Sequence, residues 1–459
     1  MPYPINPLLH AVAAPPIPEA QGWIAGRSFP ADKPLIDVAQ AVPGYPPPKG
    51  LTDHLASVVG QPVMARYSDV PGRPELRAAL AADMNAFYGA AIAPAQVTIT
   101  AGCNQAFCFA VQALCAPGDE VILPLPYYFN HQMWLDMAGV KAVHIPFRAD
   151  RDGVPDPADA AAAITPRTRA IVLVSPNNPT GAIYPAAALK AFFDLARSRG
   201  LALILDETYR DFLPVDGAPH ALFQEPGWDE VLVQLYSFSK VYCITGYRVG
   251  SIIAGRRLAE EIAKVVDTVA ICAPRIGQEA ALYGLAHLVD WRQGNTRLMR
   301  DRLAALKAAF NRNDLGYRLV SAGAYFAYLA HPFAGRPALQ VARRLADEEN
   351  LLALPGSWFG PGQEGFLRLA FANVEAAWRG TPPRGEPRGP PARPAASRTD
   401  AAAGGQPGRH AVDGAAAVEG MEERRQPLRP ARRGAVRRLA RRDPGGSLRP
   451  EPRPLWRAR

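Results

Sequence analysis

Between about residues 36 and 373 the chain alternates short, unbroken apolar runs with stretches whose apolar residues recur at helical spacing. Runs at 97–100, 120–123, 170–174, 201–205 and 231–236 read as strands, and 75–87, 105–115 and 186–199 read as helices. The strand runs do not alternate polar with apolar, which is expected when both faces of a sheet are covered. Strand–helix alternation of this kind predicts an α/β unit with a mainly parallel sheet. After about Pro274 a long helical region continues to about Arg312. Strand candidates at 317–320, 325–329 and 366–371 follow, as in a second, smaller α+β unit. The expected division is 1–45 as an arm and part of the small domain, 46–273 as the large domain and 274–378 as the small one. The N-terminus, with Pro2, Pro4, Pro7, Pro15, Pro16 and Pro18, reads as extended.

Composition changes the picture only past Trp378. Residues 379–459 are rich in Arg, Pro, Gly and Ala and contain no Lys, Ile, Phe, Tyr, Asn or Cys. Such a stretch buries too little apolar surface to offset the entropy of ordering, so disorder is expected. Two origins fit: a natural tail, or translation out of frame from near residue 378 in a GC-rich gene. We prefer the second. Nineteen Arg and eight Asp or Glu fall in this stretch, more than the whole net charge of +9, so the preceding part is close to neutral. A basic nucleic-acid surface is therefore not expected of the folded part. No apolar run reaches the roughly 18 residues of a membrane span, and the N-terminus lacks the pattern of a signal peptide. Cys103, Cys108, Cys115, Cys243 and Cys272 are odd in number and not in metal spacing, which suits a reducing cytoplasm and no metal site.

Several residues stand where chemistry is commonly done, and each has a bland reading too. Lys240 follows an apolar run in the pattern Ser237-x-x-Lys240-x7-Arg248-x-Gly250. Alone it could be a solvated surface charge; with Ser237 and Arg248 it also suits a desolvated nucleophilic amine beside a phosphate. Asp206 ends a strand run, as a helix N-cap or as a ligand-facing acid at the carboxyl end of a sheet. Asn177-Asn178-Pro179-Thr180-Gly181 is a turn, or a ligand loop. Gly102, Cys103 and Asn104 join a strand to a helix, as a plain turn or as an anion cradle. Tyr128 lies in an aromatic cluster that could be core. Tyr67, with Gly72, Leu76 and Arg77, and Arg368, inside a strand run, could be surface residues. Arg275 could line a substrate pocket or start a helix at the surface; we favour the surface.

In this order, over about residues 36–378, these motifs resemble the class I/II (fold-type I) aminotransferases that depend on pyridoxal 5'-phosphate (PLP). The resemblance implies an aspartate-aminotransferase-like large domain with a mainly parallel seven-stranded sheet, plus a small α+β domain. It implies that Lys240 carries PLP as a Schiff base. Ser237, Arg248 and the backbone of Gly102, Cys103 and Asn104 would hold the phosphate. Asp206 would pair with the ring nitrogen, Asn178 and Tyr209 with the ring oxygen, and Tyr128 would stack on the ring. Catalysis would rest on Lys240, Asp206 and Tyr209. Arg368 would take the substrate α-carboxylate, with Asn178 and Ala41 beside it, and Tyr67 would reach the neighbouring site of a homodimer. Ser175 and Ala41 depart from the family's Asn and Gly. Asn104 stands where one acidic-substrate subgroup has Lys, which argues against an aspartate or glutamate specialist. Relatives usually end with one more helix after the strand carrying Arg368, where this chain changes composition. The implied reaction is transamination between an L-amino acid and a 2-oxo acid, without nucleic-acid or membrane partners. A β-lyase, a decarboxylase and a cyclopropane-forming synthase share the fold. A PLP-sensing regulator would also need a DNA-binding module, for which the short arm offers no helix-turn-helix.

Overall fold

A computed structural model describes residues 3–311 and 316–373. The expected tail at 379–459 and the stretch 374–378 before it lie outside the described residues. Seven strands form one sheet in the order Val97–Thr100, Gly250–Ile253, Leu232–Ser237, Ala202–Asp206, Thr168–Val174, Glu120–Pro124, Lys141–Ile145. Gly250–Ile253 runs antiparallel to both neighbours, and the other pairings are parallel. The sheet is thus mainly parallel and seven-stranded.

Alternate residues of the central strands feed two cores, as the two-residue period of a strand requires. Ile171, Leu173, Leu203 and Leu205 pack on one face with Leu80, Met84, Phe192 and Phe193. Val172, Ile204, Val233 and Leu235 pack on the other with Phe107, Val111, Ile262 and Val266. The helices Pro74–Tyr88, Ala186–Arg199 and Arg275–His287 therefore cover one face, and Cys103–Leu114 and Arg256–Ala270 the other. Each fully buried aliphatic or aromatic side chain contributes about 1.5–3 kcal/mol. That explains why both faces read as continuous apolar runs.

A second sheet is antiparallel, in the order Leu354–Pro355, Phe366–Ala370, Phe326–Ala330, Arg318–Gly323. Its core includes Leu329, Leu367 and Leu369, with Val341 and Leu345 of the helix Ala338–Glu349 and Leu303 and Leu306 of Val289–Phe310. The helical stretch expected from Pro274 onward is two helices, Arg275–His287 and Val289–Phe310, separated at Leu288.

The N-terminus is not the extended arm expected from its prolines. It forms two short helices, Pro7–Ala11 and Pro16–Gly22, each with Pro in its first turn. Proline is tolerated there because the N–H it lacks has no partner within the helix. Ala20 and Trp23 bury into the second core, where the Trp23 ring lies 5.3 Å from that of Trp358. Ile36–Asp37 then pairs in parallel with Leu351–Leu352, and Arg27 meets Asp347 at 3.1 Å. The segment from Ala20 to Asp37 is thereby fastened to the body whose strand carries Arg368.

Candidate active site

Parallel strands deliver their last residues to one edge of the sheet, where α/β sheets bind ligands. Ser237 and Asp206 end two of these strands, and Val174 ends a third, leading into the turn that holds Asn178. They open on a cavity of about 510 Å³. Its wall includes Ala41, Cys103, Asn104, Tyr128, Tyr209, Lys240, Arg248 and Arg368 as well as Asn178, Asp206 and Ser237.

Gly102 caps the helix Cys103–Leu114 with φ +87°. A Cβ there would collide with the guanidinium of Arg248. A Cβ on Gly250 would collide with the backbone of Gly102 and Cys103. Two glycines therefore bring a helix N-terminus and Arg248 together, and free N–H groups beside a guanidinium suit a phosphate. Arg248 donates to the carbonyls of Thr245 (2.9 Å) and Ala101 (3.4 Å) and is otherwise exposed. Ser237 Oγ accepts from Ser239 N at 3.2 Å, which leaves its proton for an external acceptor.

Lys240 Nζ donates to the carbonyl of Ala41 at 2.5 Å. Burial first, and then the nearby charges of Arg248 and Arg368, push its amine down to about 8. Roughly a tenth of it is then the nucleophilic free amine at pH 7. Asp206 is buried, and burial alone would raise its carboxyl. His131 and Thr208 outweigh that and hold it below the usual carboxylate range. Thr208 N donates to Oδ1 at 2.9 Å, and His131 Nε2 faces Oδ2 at 3.4 Å. His131 is itself fixed by Phe107, ring to ring at 3.9 Å, and by the edge of Tyr128 at 5.2 Å. Asp206 is thus a buried, ionised acceptor at neutral pH.

Arg368 is 2% exposed, inside the strand Phe366–Ala370. It donates to the carbonyl of Ala39 and, at 3.3 Å, to Asn178 Oδ1. Its Nε has no partner, and among the described residues no carboxylate pairs with it. Burial lowers it to about 10, so it stays cationic at neutral pH. A buried guanidinium between Phe326 and Phe359, each centred 5.3 Å away, is costly unless an anion joins it. Tyr128 OH donates to Asn104 (3.4 Å), accepts from Asn130 (2.8 Å), and is raised to about 12 by burial. Tyr209 is buried against Tyr325 and Phe326.

Tyr67 alone among the expected residues stands apart. It is 72% exposed, outside the wall of this cavity, and its carbonyl accepts from Arg275 at 3.0 Å. Sequence reasoning missed a group that braces Asp206 and a segment that lines the cavity. His131 gave no signal, because its partner Asp206 is far along the chain. Pro15, Ile17 and Pro18 line the cavity from a segment expected to be an open arm.

Residues 30–378 match the profile of the family described as Aminotransferase class I and II. This chain is a member of that family. The aminotransferase is 31% identical over 349 residues to an aromatic aminotransferase, ISS1, of Arabidopsis thaliana, covering 74% of this chain and 86% of that one. It is 31% identical over 306 residues to the arginine–pyruvate transaminase AruH of Pseudomonas aeruginosa, covering 66% and 77%. Among solved structures, an aspartate aminotransferase from Thermus thermophilus with maleate superimposes with a TM-score of 0.73 at 26% identity, covering 81% of this aminotransferase and 95% of that chain. Class I and II aminotransferases depend on PLP. No helix among the described residues of this one is long and apolar enough to cross a membrane.

Proposed function

We propose that this aminotransferase moves the amino group of an L-amino acid to a 2-oxo acid on a PLP held in the cavity, working as a homodimer. The observation that carries the reading is the joint placement of a low-pKa amine, Lys240, an ionised buried acid, Asp206, and an unpaired buried cation, Arg368, around one space. The residues fit PLP. The glycine-cleared cradle beside Arg248 and Ser237 takes a phosphate, with N–H groups of Cys103 and Asn104 at the helix N-terminus. Asp206 takes a protonated pyridine nitrogen, and Asn178 and Tyr209 take the ring oxygen. Tyr128 covers the ring. When bound, PLP supplies an electrophilic carbon and a ring that accepts electrons from the substrate.

Lys240 would hold the cofactor through Nζ, and the same amine would take the proton from the substrate Cα. Asp206 keeps the ring nitrogen protonated. Arg368 grips the α-carboxylate with two N–H groups, and the Ala41 carbonyl and Asn178 bound that end of the site. Tyr67 reaches the phosphate held by the partner subunit, which accounts for its exposure in a single chain. The seven-stranded body, about 46–273, is the cofactor domain; the described part of 274–378, with part of 1–45, forms the small one. Five free cysteines suit a cytoplasmic setting.

Borohydride reduction of the PLP-loaded chain, digestion and mass spectrometry test the assignment. The adduct is expected on Lys240, and an adduct on another lysine refutes it. A single amino acid without acceptor then tests the reaction. One equivalent of oxo acid followed by a halt means transfer, whereas continued release of ammonia or carbon dioxide means a lyase or decarboxylase.

A further inference from the structure

Among the described residues, the wall of the cavity holds three cations, Lys240, Arg248 and Arg368, and one anion, Asp206. The reading above employs all four. On this chain's own wall no cation is left over for a second carboxylate, and no anion for a basic side chain. Several of the uncharged polar groups on that wall bond to other side chains. Asn104 and Asn130 both bond to Tyr128 OH, and Gln40 accepts from Gln21 at 3.5 Å.

What remains beside Arg368 is apolar. The ring of Phe359, which flanks the guanidinium, lies 5.7 Å from the ring of Phe129. Phe129 lines the cavity, as do Ile17, Pro18 and Val42. Ile17 is half-buried against the core that contains Phe129 and Phe359, and Trp23, a turn and a half further along, anchors its helix on Trp358. An amino acid whose carboxylate sits on Arg368 therefore has an aliphatic and aromatic surface within reach of its side chain.

We propose that the amino donors of this enzyme carry uncharged, apolar side chains, seated against Ile17 and Phe129. The inference rests on amino transfer with Arg368 as the carboxylate anchor. An apolar side chain gains by leaving water against such a wall. A charged one loses its hydration and finds no counter-charge on this chain's wall. Arg275 is the cation that a second copy would bring together with Tyr67, because it bonds to the Tyr67 carbonyl. The inference holds that Arg275 does not serve a substrate carboxylate.

Stopped-flow absorbance of the PLP-loaded enzyme, mixed with single amino acids, measures kcat/KM for each donor. Leucine, methionine and phenylalanine are expected to exceed aspartate, glutamate, lysine and arginine by about a hundredfold or more. Calorimetry with unreactive acids gives a second readout: 4-methylpentanoate should bind at least about tenfold tighter than butanedioate. Ile17→Arg should move the leucine-to-aspartate ratio toward aspartate by at least about tenfold, while Ile17→Val keeps the wild-type order. Aspartate or arginine reacting as well as leucine overturns the inference, and so does butanedioate binding as tightly as 4-methylpentanoate. If aspartate is the donor that overturns it, loss of that preference in Arg275→Ala names the cation responsible. A ratio unmoved by Ile17→Arg removes Ile17 from the pocket. If no donor of either class reacts, amino transfer itself fails, and the calorimetric comparison still decides whether the wall is apolar.

Discussion

Replacing Lys240 with Met in the cofactor-free chain should stabilise it at neutral pH. The amine falls from the ordinary lysine value near 10.5 to about 8, so the folded state binds its proton less readily than the unfolded state. At about 1.4 kcal/mol per unit, holding the charge in the fold costs about 3 kcal/mol below pH 8. Methionine has no charge to hold but gives up the bond to the Ala41 carbonyl, worth about 1 kcal/mol. The net gain is about 2 kcal/mol, and somewhat less because Lys240 is only partly shielded from water. The sign of the pH dependence follows from linkage. The penalty is fully present below pH 8, shrinks as pH rises from 8 toward 10.5, and is gone above that, where neither state holds the proton. Urea unfolding of both cofactor-free proteins at pH 7 and pH 10 measures this. The variant should be the more stable at pH 7, with the difference vanishing or reversing at pH 10. Equal stability at pH 7, or a difference that ignores pH, would refute the claim that this amine is electrostatically strained.

Three further outcomes follow from the site. Arg368→Lys should lower kcat/KM for amino acids by about a hundredfold, because one ammonium cannot make the two-armed contact, while the absorbance of the bound cofactor stays unchanged; unchanged kcat/KM would take Arg368 out of substrate binding. In His131→Phe, Asp206 loses one of the groups that hold its carboxyl low, so the acid limb of the kcat–pH profile should move to higher pH by about one unit. A fixed acid limb would show that His131 only packs. Mixing inactive Lys240→Ala subunits with Tyr67→Ala subunits after mild unfolding should restore about a quarter of the wild-type sites, since half of the random dimers carry one intact site out of two. No recovery in dimers shown to have exchanged would place Tyr67 in its own subunit's site.

How legible the site was depends on distance along the chain. Lys240, Ser237 and Arg248 lie within one strand–turn–strand segment, and Asp206 and Tyr209 within one turn, so short motifs reported them. Arg368, by its local pattern a possible surface residue in a strand run, was legible only through the order of motifs that the resemblance rests on. His131 was not, since nothing local separates a histidine that stacks on Phe107 from one that braces an acid. The edge strand Lys141–Ile145, with Lys141 exposed and His144 half-buried against Gln132, lacks the continuous apolar run of its neighbours. Gly250–Ile253 begins with Gly and Ser, which leaves too short an apolar run to stand out as a strand. The prolines of the first twenty residues argued for an open arm. Their placement at helix starts, and the burial of Ala20 and Trp23 against residues more than three hundred positions later, are tertiary facts.

The pairing of Ile36–Asp37 with Leu351–Leu352 also sets a clock on the ribosome. The seven-stranded sheet is complete once residue 253 has emerged, but Trp23, Ile36 and Val38 must wait for residues near 350 before they can be buried. At roughly 5–20 residues per second, the leading segment spends about 15–60 seconds with its apolar side chains uncovered. During that interval the nascent chain carries an apolar front end with nothing to cover it, beside a sheet whose strands are all already made.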